Sequence, residues 1–147
     1  MTTAAGILLA AGTSSRLGRE KQLLSMKGKT FLRSIAEAMA SAVAPLVAVF
    51  PADRCKAGSE LVAEVAGLGV EVEIVPNPSP EEGLGHSVAL AAQRLQARAD
   101  APGLVLLAVV DQPLASAELF GRLISAAAAS AGWAASDYGG GAWGVPA

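Results

Sequence analysis

Between Leu9 and Leu24 the chain reads LAAGTSSRLGREKQLL, and this stretch concentrates residue types that bind phosphate. It follows directly on a small apolar run, Ala4 to Leu9, whose character predicts a buried strand. A strand opening into Gly12, Thr13, Ser14 and Ser15 supplies hydroxyls and turn N–H groups, which together can form a concave anion site. Gly12 has no Cβ and lets the backbone come close to a ligand. Arg16 and Lys21 add two positive charges, which suit a polyphosphate better than a lone carboxylate. The same residues also read as an ordinary strand-to-helix turn with two solvated cations.

Asp111 is the second candidate. It follows the apolar run Leu104 to Val110 directly, in VVDQPLA, and an acidic residue there is either a helix cap or a metal ligand. Ser116 can cap the next helix unaided, which weakens the cap reading. A carboxylate is a suitable hard ligand for Mg2+, which keeps several waters and takes few protein ligands. The third candidate is the proline- and glycine-rich loop NPSPEEGLGHS, Asn77 to Ser87, where Ser87 reads as the N-cap of a helix. His86 is the only histidine and reads as a solvent-exposed loop residue rather than a catalytic one.

Two motifs are decoys. Gly28-Lys29-Thr30 resembles the end of a P-loop, but the glycine required five residues earlier is Leu23. Gly28-Lys29 is better read as a polar turn before a helix that Thr30 caps. A G-x-G-x-x-G dinucleotide fingerprint is absent after the first strand, which disfavours a redox Rossmann domain.

The elements that must position these residues alternate. Thr30 to Val43 has helical apolar spacing, Leu46 to Phe50 reads as a strand, and Ala52 to Ala66 reads as a second helix closed by Gly67 and Gly69. Val70 to Val75 alternates with Glu71 and Glu73, the pattern of a strand towards a sheet edge. Helices are expected over Ser87 to Ala99 and Ser116 to Ser130, and a last strand over Trp133 to Tyr138. Leu104 to Val110, seven apolar residues in a row, is the strongest candidate for a central strand. Such alternation predicts an α/β fold with a mostly parallel sheet. Ligands of these sheets bind beyond the carboxyl ends of the strands. The Gly12 loop, the Pro76–Gly85 loop and Asp111 should therefore meet at one edge.

Composition sets bounds. At 147 residues and 52% hydrophobic, the chain is expected to form one domain. Eleven basic against thirteen acidic residues leave a net charge of −2 and no support for nucleic-acid binding. Cys55 is the single cysteine, so no internal disulfide or cysteine-based zinc cluster can form, and a cytoplasmic location is expected. The N-terminal apolar run lacks a positive n-region and is too short to span a bilayer, so no membrane role is expected.

The pattern L-A-A-G-x-S-x-R-x-G-x-x-K-x-L-L resembles the signature of the molybdenum cofactor cytidylyltransferase and guanylyltransferase-like NTP transferases. It is matched by Leu9, Ala10, Ala11, Gly12, Ser14, Arg16, Gly18, Lys21, Leu23 and Leu24. The resemblance implies a Rossmann-like three-layer sandwich of the nucleotide-diphospho-sugar transferase type. It implies a loop that wraps a nucleoside triphosphate, with Arg16 and Lys21 neutralising it and Leu9, Ala10, Ala11, Gly12 and Ser14 contacting it. D-Q-P resembles the family's metal-binding stretch, which makes Asp111 the ligand of Mg2+ and, with Arg16 and Lys21, catalytic. Gly83, Gly85 and Ser87 match an E-G-x-x-x-S stretch that approaches the base and ribose. Tyr138 to Gly141 and Gly144 to Pro146 loosely resemble a segment bordering the acceptor pocket.

The A-A-G form of the loop, with Ala11, is typical of relatives that use CTP and attach cytidylate to molybdopterin. The implied reaction is transfer of a nucleoside monophosphate to a phosphate acceptor with release of pyrophosphate. Alternatives are a related transferase using GTP or a sugar phosphate, and a nucleotide-binding module without turnover. Family members continue well beyond the position of Pro146, usually with a second acidic metal-site residue. The expectation is a single NTP-transferase domain over residues 1–147 that lacks the family's C-terminal portion.

Overall fold

Six apolar residues of β1 (Ala4–Leu9) run through the middle of a four-stranded parallel sheet. The structure, a computed structural model, describes residues 3–12, 20–112, 114–130 and 132–147. After β1 come a short hairpin of β2 (Ser25–Met26) and β3 (Lys29–Thr30), then α1 (Phe31–Ala40), β4 (Leu46–Pro51) and α2 (Glu60–Glu64). The chain continues through β5 (Val72–Asn77), α3 (Leu84–Gln96), β6 (Leu104–Val109) and α4 (Ala117–Ala129). A second small hairpin, β7 (Ser136–Asp137) with β8 (Trp143–Gly144), follows. No helix among the described residues is long and apolar enough to cross a membrane.

The sheet order is β5-β4-β1-β6. In register, Gly6 lies beside Leu46 on one side and Leu106 on the other, and Val49 lies beside Val75. Successive strands step outward from β1 to β5, and the chain then crosses back to place β6 on the other flank of β1. Parallel sheets need both faces covered, and β1 is buried on both. Leu8 and Ala10 pack with Leu32, Ile35 and Met39 of α1 and with Phe120 of α4, while Ile7 and Leu9 pack with Ala91 and Leu95 of α3. The result is the expected α/β three-layer sandwich. Burying a side chain such as Leu8, Ile35 or Phe120 contributes roughly 1.5–3 kcal/mol each.

Helix starts follow local chemistry. The Thr30 hydroxyl accepts from the Arg33 N–H at 3.0 Å and caps α1, and Ser116 accepts from the Leu119 N–H at 3.2 Å and caps α4. The Lys27–Gly28 turn of the first hairpin has positive φ at both residues, 54° and 81°, as a two-residue hairpin turn requires. The turn therefore falls one residue earlier than the expected Gly28-Lys29, and Lys29 opens β3.

Four further expectations are corrected. The helix over Ala52 to Ala66 is broken into a 3-10 turn, Ala52–Arg54, and the short α2, because Gly58 adopts φ +87° between them. The helix expected from Ser87 begins three residues earlier, at Leu84, with Gly83 at the N-cap. The strand over Trp133 to Tyr138 contracts to two residues, since the chain turns back through Gly139, Gly140 and Gly141, all at positive φ. Finally, β6 is not central. It ends the described sheet, and its continuous apolar character comes from α4 on one face and an apolar groove beside α3 on the other. The strand at Val72–Asn77 does lie at an edge, as its alternation suggested, with Glu73 paired to Arg94 at 2.8 Å.

Candidate functional site

The carboxyl ends of β1 and β6 and the segment that follows β5 open onto one cleft of about 520 Å3. It straddles the point where the chain reverses its direction across the sheet, between β1 and β6, where parallel sheets leave room for a ligand. The volume falls in the range of small-molecule sites.

One wall is the end of β1. Leu9, Ala11 and Gly12 line the cleft, and a Cβ placed on Gly12 would meet no described atom within 4 Å. That open space is what a closely approaching ligand needs. Ala10 is fully buried and points its side chain into the core, so it supports the wall without lining it. Its carbonyl is held by Gln22, whose Nε2 donates to Ala10 O at 2.6 Å and more weakly to Gly12 O at 3.4 Å. Gln22 is only 2% exposed, and its Oε1 is buried with no partner among the described residues. Lys21, beside it, lines the cleft and brings a positive charge to this wall. Ser14, Arg16 and Gly18 lie outside the described residues.

The second wall is the start of α3. A 3-10 turn, Pro80–Glu82, leads to Gly83 at φ +91°, and among the described residues no side chain caps the helix. Gly83, Leu84 and Ser87 line the cleft. A helix of 13 residues carries partial positive charge at its N-terminus, which favours an anion nearby. Ser87 is not the cap. Its hydroxyl accepts from Asn77 Nδ2 at 2.8 Å, and Asn77 is fully buried at the end of β5. Gly85 sits in the first turn but does not line the cleft, and His86 faces Glu82 at 3.5 Å.

The third wall is the end of β6. Asp111 is exposed and is the one carboxylate among the described residues that line the cleft. Gln112 follows it, and its Nε2 donates to Tyr138 Oη and to Val145 O, both at 2.8 Å. The Tyr138 hydroxyl in turn donates to the Val145 carbonyl. These bonds fasten the β7–β8 hairpin to the strand end, and Val145 completes the cleft. Among the described residues no three His, Cys, Asp or Glu side chains group as a metal cage. Among the described residues one exposed carboxylate with space around it suits a hard divalent ion that keeps most of its waters, as Mg2+ does, better than a caged zinc or calcium ion.

The structure thus brings together Leu9, Ala11, Gly12, Lys21, Gly83, Ser87 and Asp111 and leaves Ala10 and Gly85 off the wall. Sequence reading missed Gln22, Gln112 and Asn77. Two of them sit inside the motifs already singled out, in K-Q-L-L and D-Q-P. Their neighbours do not mark them, since Lys21 precedes Gln22 and Asp111 precedes Gln112.

Residues 6–147 match the model of the MobA-like NTP transferase domain. The chain is 33% identical over 129 residues to the bifunctional protein GlmU of Bifidobacterium longum, covering 84% of this chain and 26% of that protein. It is 34% identical over 120 residues to a molybdenum cofactor guanylyltransferase of Xanthomonas euvesicatoria, covering 82% of this chain and 53% of the relative. Among solved structures it resembles Rv0371c of Mycobacterium tuberculosis, with a TM-score of 0.66, 28% identity, and coverage of 88% of this chain and 62% of the other. Rv0371c has also been solved as a complex with manganese. The chain spans between about a quarter and a little over half the length of these curated relatives. With the cleft at the strand ends and the family model covering nearly every residue, the chain belongs to the MobA-like NTP transferase domain family.

Proposed function

We propose that this chain binds a nucleoside triphosphate in the strand-end cleft and transfers its nucleoside monophosphate to a phosphate acceptor, releasing pyrophosphate. The observation that carries the reading is the convergence on one cleft of Lys21, Asp111 and the start of α3. Each offers something a triphosphate needs: a cation, a metal ligand, and backbone donors backed by a helix dipole.

In the reaction an oxygen of the acceptor phosphate forms a bond to the α-phosphorus. The bond from that phosphorus to the α–β bridging oxygen breaks, and pyrophosphate leaves with the electron pair. The attacking oxygen is already anionic, so no side chain has to remove a proton. Catalysis rests on alignment and on offsetting charge. Lys21, and Arg16 by its place in the motif, offset charge on the triphosphate and the departing pyrophosphate. Gly12 and the wall from Leu9 to Ala11 admit the ligand backbone-close. Asp111 would hold Mg2+, whose contribution when bound is to neutralise the phosphates and hold them in line.

CTP is the first-choice nucleotide and molybdopterin the first-choice acceptor. Ala11 lines the cleft beside Gly12, and the A-A-G loop resembles that of cytidylyl-transferring relatives. The second reading is GTP, favoured by the likeness to a protein named as a molybdenum cofactor guanylyltransferase. Pyrophosphate release from CTP and from GTP, with molybdopterin and Mg2+ present, decides between them. Lys21→Ala should lower the rate on the order of 10²–10³-fold, as loss of one positioned electrostatic donor does. Tight nucleotide binding with no pyrophosphate release would instead support a binding module.

A further inference from the structure

Asn77 has no place in the scheme above, yet it is fully buried and both ends of its amide are committed. Its Oδ1 accepts from the Ser79 N–H at 2.8 Å, and its Nδ2 donates to Ser87 Oγ at 2.8 Å. The first bond fixes the second. Turning the amide over would set its NH2 against the Ser79 N–H, donor against donor. Ser87 must therefore be the acceptor in its bond to Asn77.

A serine hydroxyl has one proton to give. On a helix that proton often goes to the carbonyl four residues back, here Gly83, but Ser87 makes no such bond. Among the described residues nothing accepts it. Ser87 is 4% exposed, and the open space beside it is the cleft. The side chains of the neighbouring wall residues Leu9, Pro80 and Leu84 are apolar and bring no charge, which suits contact with an uncharged base or ribose.

We propose that Asn77 is a positioning residue that turns the Ser87 hydroxyl proton into the cleft, so that this wall recognises a hydrogen-bond acceptor on the nucleoside moiety. The inference rests on reading the cleft as a nucleoside triphosphate site and adds how the nucleoside is told apart.

The test reverses the polarity of one bond. In Asn77→Asp the carboxylate still accepts from Ser79 but can no longer donate, so it draws the Ser87 proton away from the cleft. Calorimetric titration compares CTP with inorganic tripolyphosphate, both with Mg2+, on the natural chain, Asn77→Asp, Ser87→Ala and the double variant. Tripolyphosphate reports any effect of the added charge, because it has no nucleoside. Relative to that control, Asn77→Asp should weaken CTP by roughly 10- to 100-fold, the scale of a lost hydrogen bond that leaves a buried group unpaired. Ser87→Ala should weaken CTP about tenfold and leave tripolyphosphate unchanged. In the Ser87→Ala background the Asp substitution should have no further effect specific to CTP.

Equal losses for CTP and tripolyphosphate in Asn77→Asp would overturn the inference, as would unchanged CTP binding by Ser87→Ala. The latter arm decides alone if Asn77→Asp does not fold. Failure of the natural chain to bind either ligand would overturn the reading of the cleft itself.

Discussion

Gln22 offers a perturbation in which stability and binding should part company. In Gln22→Met the amide is replaced by a thioether of similar volume and flexibility. The Ala10 carbonyl loses its 2.6 Å donor and is left buried and unpaired, at a cost of ~1–3 kcal/mol. The same change deletes the buried Oε1, which has no partner among the described residues and imposes a similar penalty. These terms offset, and the net loss should stay under ~1.5 kcal/mol. For a chain of this size that is a fall in Tm of roughly 5 °C or less. What is not offset is the tether on residues 10–12, the wall that must meet the ligand. CTP affinity should fall about tenfold, the scale set by one lost hydrogen bond. By contrast Gln22→Ala adds a cavity and should cost ~2–4 kcal/mol. Thermal melting and calorimetric titration of both variants measure the two quantities. Native CTP affinity in Gln22→Met would refute the idea that Gln22 fastens the wall, and a loss of ~2 kcal/mol or more would refute the offset.

Further expectations concern the fold and its charges. Gly6→Ala places a methyl 2.7 Å from Val43 Cγ2 and 2.9 Å from Leu46 Cδ1, inside the core between β1 and α1. Overpacking of this kind costs ~1–3 kcal/mol, and a Tm unchanged in melting curves would show that the neighbours shift freely. Glu71 is held below the usual carboxylate range by its hydrogen bonds from Arg98, Asp100 likewise by Arg98, and Glu37 by Lys29 and then Arg33. A lowered carboxyl stabilises the fold above its unfolded value, about 4, and that stability is lost as pH falls further. Melting temperature should therefore drop on acidification below about pH 4, and less steeply in Arg98→Ala. The difference should shrink in 1 M salt, since these pairs are exposed.

Legibility followed range. β1 was readable residue by residue, because a buried parallel strand is an uninterrupted apolar run. Thr30 and Ser116 were readable as caps because capping is settled within three residues. The place of β6 was not, since seven apolar residues report burial of two faces but say nothing about which flank is paired. Ser87 shows the same limit. Locally it is a good cap after two glycines, and only the approach of β5 reveals that its hydroxyl belongs to Asn77. Asn77 itself reads as a turn residue before Pro78, and its burial depends on α3 closing over it. The Lys21 and Asp111 positions were marked by their motifs, while Gln22 and Gln112, which hold the walls in place, carry no chemistry that a sequence displays.

The most direct measurement is thermal melting of the natural chain and of Asp111→Ala with CTP, GTP or ATP, each with and without Mg2+. A ligand at one hundred times its Kd adds ~2.7 kcal/mol, a rise of roughly 5–10 °C for this size. The expected result is a rise with CTP that requires both Mg2+ and Asp111. No rise with any nucleotide, or a rise indifferent to Mg2+ and to Asp111, would contradict the assignment of the cleft as a metal-assisted nucleotide site.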